Sequence, residues 1–100
     1  MAAKGYWIAR MSVHDDALYA QYVAAASPVY SSFGGVPIIR GGRFDISEGE
    51  SRARNVVIEF PSYQAAMDCY NSPEYQAARE IRFKAADGEA IVIEGAELAE

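Results

Sequence analysis

Residues 40–75 read RGGRFDISEGESRARNVVIEFPSYQAAMDCYNSPEY, and the succession of breaks in this stretch decides the fold. From Ala53 to Phe60 the side chains alternate, with Val56, Ile58 and Phe60 on one face and Asn55, Val57 and Glu59 on the other, the period of a β-strand. Pro61-Ser62 breaks the strand, and Ser62 is placed to cap a helix running to about Tyr70. Asn71-Ser72-Pro73 restarts helix. Ser72 is the cap, Pro73 takes the first position where its missing N–H is harmless, and Glu74 sits near the positive helix end. Upstream, Val36 to Ser47 is expected to form the other arm of a hairpin, turned at Glu48-Gly49-Glu50. Gly41-Gly42 inside that arm points to a bulge or a close backbone approach.

Working outward, residues 5–13 (GYWIARMSV) place Tyr6, Ile8, Arg10 and Ser12 on one face and Trp7, Ala9, Met11 and Val13 on the other. This is a strand with apolar side chains on both faces. His14-Asp15-Asp16 ends it, with Asp15 as helix N-cap. Leu18, Tyr22, Ala25, Ala26, Val29 and Phe33 then recur at steps of three and four, as in an amphipathic helix. Pro28 falls inside this pattern and predicts a kink or break near Ala24 to Pro28, because its ring removes one backbone hydrogen bond. Gly34-Gly35 ends the helix. At the other end, the restarted helix is expected to reach roughly Ala86. Asp87-Gly88 reads as a turn, and Glu89 to Glu94 as the last strand.

The order is therefore strand, helix, strand, strand, helix, strand. That order predicts an α+β, ferredoxin-like βαββαβ fold: a four-stranded antiparallel sheet with both helices on one face, in one domain spanning 1–100. Residues 1–4 and 96–100 are expected to be mobile tails. Nothing in the chain is left to cover the second sheet face, yet Trp7/Ile8, Ile38/Ile39, Val57/Ile58 and Val92/Ile93 offer apolar side chains to both. At about 25 cal/mol per Å2 of apolar area, leaving that face in water forgoes several kcal/mol. A homodimer packed sheet to sheet is the expected cover.

Composition narrows the functional classes. An apolar fraction of 51% with 23% charged residues is that of a globular chain. Nine basic residues among fourteen acidic ones, net charge −5, offer no phosphate-neutralising patch, so no nucleic-acid partner is expected. No basic segment precedes an apolar core of about 7–15 residues at the start, and no apolar run approaches about 20 residues. A cytoplasmic protein with no membrane partner is the expectation. Cys69 is the single cysteine and His14 the single histidine, which leaves no disulfide, no metal site and no serine-hydrolase triad to expect. Cys69 reads as a small buried side chain and His14 as part of a surface cap.

With these elements in place, the chain resembles the small bacterial domain-of-unknown-function family DUF1330, within the dimeric α+β barrel superfamily. The resemblance rests on Gly5-Tyr6-Trp7-Ile8-Ala9-Arg10, Arg40-Gly41-Gly42, Arg54 through Ser62, Ala65-Ala66 and Cys69 through Tyr75. It implies the barrel-forming dimer and no particular reaction. The superfamily includes cofactor-free monooxygenases, heme-degrading proteins and muconolactone isomerase-like enzymes, so fold cannot stand in for function.

The candidate site residues are charged or hydroxylated groups in apolar surroundings. Arg10, Arg40 and Glu59 lie on three predicted strands, where a charge is costly unless paired or facing a cavity. They form either a pocket with an arginine fork for a small carboxylate or a structural ion network. Tyr70 and Ser72, at the helix break, join them as ligand-binding candidates, with capping and aromatic packing as their plain role. The leading expectation is a dimeric protein, without cofactor, that holds a small carboxylate or aromatic ligand between sheet and helices. The alternatives are a cofactor-free oxygenase or isomerase, in which Arg10, Arg40, Glu59 or Tyr70 carries the chemistry, and a structural or regulatory interaction domain.

Overall fold

The computed structural model describes residues 3–97. Seven elements follow one another: β1 (Gly5–Val13), α1 (Asp16–Ser32), β2 (Val36–Arg40), β3 (Arg54–Phe60), α2 (Tyr63–Tyr70), α3 (Pro73–Ala85) and β4 (Ala86–Glu94). The strands form one sheet in the order β2-β3-β1-β4, and every neighbouring pair is antiparallel. This is the expected ferredoxin-like α+β arrangement, with its second helical segment split in two at Asn71-Ser72. The expected mobile ends, 1–4 and 96–100, lie mostly outside the described residues. Within them, the Gly95 amide donates to the Lys4 carbonyl at 2.8 Å.

The caps are the ones the sequence specifies. The Asp15 carboxylate accepts from the Leu18 amide at 3.0 Å and Ser62 Oγ from the Ala65 amide at 3.0 Å. Ser72 Oγ accepts from the Tyr75 amide at 3.2 Å, with Pro73 following it in the first turn. Each satisfies a donor that the first helical turn leaves free. At the far end of α1 the Gly34 amide donates to Ser31 O and the Gly35 amide to Tyr30 O, the paired bonds of a Schellman stop.

Three expectations are corrected. First, of the expected kink or break at Pro28 the break does not occur: α1 is one helix from Asp16 to Ser32. Proline removes a single bond from the ladder, and beside it Ser27 Oγ donates to Val23 O at 2.7 Å. Second, β2 stops at Arg40 rather than continuing to Ser47. Gly41 takes φ +68° and donates its amide to Asn55 O at 2.8 Å, which turns the chain out of the ladder. Residues 41–53 then form a long connection with no strand, and the irregularity in β2 falls between Pro37 and Ile39 instead of at the glycine pair. Third, Asp87-Gly88 is not a turn. β4 starts directly at Ala86, and these two residues pair with Ser12 and Met11. The helix-to-strand change is tied down by His14 and Asp15, whose amides both donate to Ala85 O.

Register assigns the faces. Trp7, Ala9 and Met11 of β1 stand beside Ile58, Val56 and Arg54 of β3 and Val92, Ala90 and Gly88 of β4, all toward the helices. The main core packs Trp7, Ile58 and Phe60 from the sheet against Ala26 and Tyr30 of α1, Ala66 and Cys69 of α2, and Tyr75 and Ala78 of α3. The opposite face carries Ile8, Arg10, Val57, Glu59, Ile91 and Ile93, together with Val36 and Ile39 of β2. Val36, Ile38, Ile39, Ile91 and Ile93 are all exposed in the single chain. Across this face Arg52, at the end of the long connection, grips the Glu89 carboxylate through Nε at 2.9 Å and Nη2 at 2.6 Å. No helix among the described residues is long and apolar enough to cross a membrane.

Candidate functional site

The helix face of the sheet does not close completely. Between it and the helices α1 and α3 lies a cavity of about 50 Å3. Its walls are largely aromatic: Trp7 from β1, Tyr19, Tyr22 and Tyr30 from α1, Tyr70 from α2 and Tyr75 from α3. These rings are held by one another. Trp7 meets Tyr75 with centroids 4.6 Å apart, Phe60 at 5.0 Å and Tyr70 at 5.7 Å, in tilted or edge-to-face geometry. Its indole N–H donates to Ala66 O at 2.9 Å, which fixes the ring against α2. A wall built from mutually braced rings is rigid before any ligand arrives.

Polar groups interrupt this wall at few points. The hydroxyls of Tyr22 and Tyr75 share a hydrogen bond at 2.8 Å, and Arg82 Nη1 donates to the Tyr75 hydroxyl at 2.8 Å. Burial pushes the ionisation of both tyrosines up, Tyr75 most strongly, so both hydroxyls keep their protons. Arg82 is 5% exposed. Its guanidinium lies 5.6 Å from the Tyr22 ring centre, and no carboxylate among the described residues pairs with it. Arg54, on β3, stacks over Tyr19 at 5.2 Å, and its Nε is buried without a hydrogen-bond partner. Arg40 completes the set at the end of β2.

The sequence-derived candidates divide between the two sheet faces. Arg40 and Tyr70 line the cavity. Arg10 and Glu59 stand on the opposite face, so the three charged residues do not meet between sheet and helices. The parity of their strands sends them the other way. Glu59 accepts from the Tyr6 hydroxyl at 2.9 Å, and Arg10 is exposed opposite Asn55 and Glu89. Ser72 is occupied within the backbone: it donates to Cys69 O at 2.7 Å while capping α3. Cys69 is fully buried and its thiol is pushed up to about 12 by desolvation, the inert structural role expected of it. His14 is exposed at the β1–α1 junction.

Arg54 and Arg82 are not among the sequence-derived candidates, though both carry a signal in the sequence. Arg54 continues the Val56, Ile58, Phe60 face of its strand by two residues. Arg82 falls in the series Tyr75, Ala78, Arg82, Ala85, the buried stripe of α3. A cation in the middle of an apolar stripe is the same signal that singled out Arg40.

A family model described as a domain of unknown function, DUF1330, matches residues 4–96. The chain belongs to the DUF1330 family. Among solved structures, this DUF1330 protein is similar to a protein of unknown function from Rhodopseudomonas palustris. The TM-score is 0.76 at 19% identity, over 98% of this chain and 86% of that one. It is also similar to SnoaB, a cofactor-independent oxygenase from Streptomyces nogalater, with TM-score 0.64 at 12% identity over 97% of each chain. A third likeness is to a dimeric ferredoxin-like protein of unknown function from Thermobifida fusca, with TM-score 0.62 at 16% identity, over 94% of this chain and 92% of that one. At these identities the likenesses establish the fold alone. A search of curated proteins finds no match.

Proposed function

We propose that this DUF1330 protein is a homodimer in which each protomer holds a small organic ligand, carboxylate or aromatic, in the cavity between sheet and helices. The observation that carries the ligand reading is the cavity wall itself: six braced aromatic rings around a small space, interrupted by a few hydroxyls and guanidinium groups. Such walls suit a flat or short apolar body with one polar end. A thermal-shift series with benzoate, phenol, butyrate and their close analogues tests it. At least one compound is expected to raise the melting temperature, and Tyr70→Ala is expected to remove most of that rise. A flat response across the whole series overturns the ligand reading. Turnover of a stabilising compound in the same samples distinguishes an enzyme of the cofactor-free oxygenase or isomerase kind from a binding protein.

The dimer reading rests on the other sheet face, where Val36, Ile39, Ile91 and Ile93 leave an apolar surface that no element among the described residues covers. The similar Thermobifida fusca protein is itself described as dimeric. A second copy sheet to sheet buries this surface symmetrically. Light scattering is expected to give twice the 10.9 kDa chain mass. Introducing Ile39→Asp together with Ile91→Asp is expected to yield a monomer. A wild-type protein that stays monomeric at high concentration would falsify this assembly.

A further inference from the structure

We infer that the cavity selects its ligand as an anion, and that Arg82 and Arg54 are the residues that read the charge. This deepens the ligand reading above and rests on it.

Three arginines line one small cavity, Arg40, Arg54 and Arg82, and no aspartate or glutamate lines it with them. That distribution runs against the composition of the chain, in which fourteen acidic residues outnumber nine basic ones. The one ion pair among the described residues, Arg52–Glu89, lies on the far side of the sheet. A buried guanidinium ordinarily has a carboxylate beside it, because desolvating a cation without a counter-charge is costly. Arg82 meets a phenol hydroxyl and ring faces instead. These groups ease its burial without neutralising it. Arg54 is held over Tyr19 with its Nε out of water and unbonded.

The complement this arrangement lacks is a group with negative charge and acceptor lone pairs. A carboxylate supplies both, and a guanidinium fork matches its two oxygens. The hydrogen bond between the Tyr22 and Tyr75 hydroxyls uses one O–H and leaves the other as a neutral donor near the same place. The small size of the cavity favours a carboxylate on a short or flat body. The aromatic walls then cover the apolar part while the arginines take the head.

Isothermal titration of the wild-type protein with two matched pairs, benzoate against benzamide and butyrate against butyramide, separates this inference from the reading beneath it. Each carboxylate is expected to bind about tenfold or more tightly than its amide, the scale of a charged hydrogen bond. Arg82→Met is expected to abolish that preference and Arg54→Gln to reduce it, with Arg54→Gln carrying the comparison should Arg82→Met fail to fold. Carboxylate and amide binding equally well overturns the anion inference and leaves the pocket standing. Neither member of either pair binding overturns both.

Discussion

Trp7→Ala is expected to lower the free energy of unfolding by about 3–5 kcal/mol, the usual cost of removing a large aromatic side chain from a core. Trp7 is buried where the sheet meets all three helices, in ring contact with Tyr30, Phe60, Tyr70 and Tyr75. Its loss removes the bracing of four other rings and leaves Ala66 O without the indole donor. That carbonyl belongs to α2, so the damage is expected to spread to the short helix first. Trp7→Phe restores part of the ring but not the donor, and its expected cost is smaller, about 1–3 kcal/mol. Guanidinium unfolding at fixed protein concentration, followed by far-UV circular dichroism, measures both variants. Tryptophan fluorescence cannot, because Trp7 is the single tryptophan, and a dimer makes stability concentration-dependent. A loss below about 1 kcal/mol for Trp7→Ala would place the centre of the core elsewhere.

The same residue shows how much of the molecule was legible beforehand. Strand parity put Trp7, Ala9 and Met11 on one face, and the caps Asp15, Ser62 and Ser72 set three helix starts correctly. These signals are local: a period of two, a side-chain oxygen three residues before an amide. The order of elements pointed to a four-stranded antiparallel sheet under one helical layer, and the pairing β2-β3-β1-β4 is what the structure adds. What failed was of two kinds. Gly41-Gly42 and Asp87-Gly88 both looked like interruptions, and only long-range pairing separates them: Gly41 leaves the ladder while Gly88 stays within it. The candidate site failed differently. Arg10 and Glu59 fall by parity on the faces of Ile8 and Val57, away from Trp7 and Ile58, while Arg54 shares the face of Ile58. Arg40 has the parity of Val36, and only the irregularity between Pro37 and Ile39 turns it to the helix side. Arg82 needed the helical period, with Tyr75 and Ala78 as its markers. Period alone therefore marks Arg54 and Arg82, while the face of Arg40 depends on a bulge that only the pairing of β2 with β3 reveals.

Gly88→Ala is the second large effect, and its expected cost is about 3 kcal/mol or more, at or beyond the upper end of ordinary overpacking. Sequence reading takes Gly88 for a turn, which would make alanine there a mild change. In the sheet, Gly88 faces Met11 within the β1–β4 ladder, and a Cβ built on it would overlap the Arg10 carbonyl oxygen and come within 2.6 Å of Met11 Sδ. The thioether can rotate away. The carbonyl cannot, because it is part of the backbone of a central strand held on both sides. β4 must therefore move, and as an edge strand it is paired on one side only. Gly42→Ala is the matched control, since a Cβ there meets nothing within 4 Å; its expected effect lies within about 0.5 kcal/mol. Hydrogen exchange is expected to show the amides of β4 losing protection in Gly88→Ala while those of β3 keep it. A Gly88→Ala protein as stable as Gly42→Ala would return Asp87-Gly88 to the status of a turn. If β4 does shift, Ala90 moves with it, and Ala90 stands on the helix side of the sheet in the cavity lining. Ligand binding should then weaken in a variant that touches none of the arginines, because the strand that carries part of the wall is positioned by the absence of one methyl group.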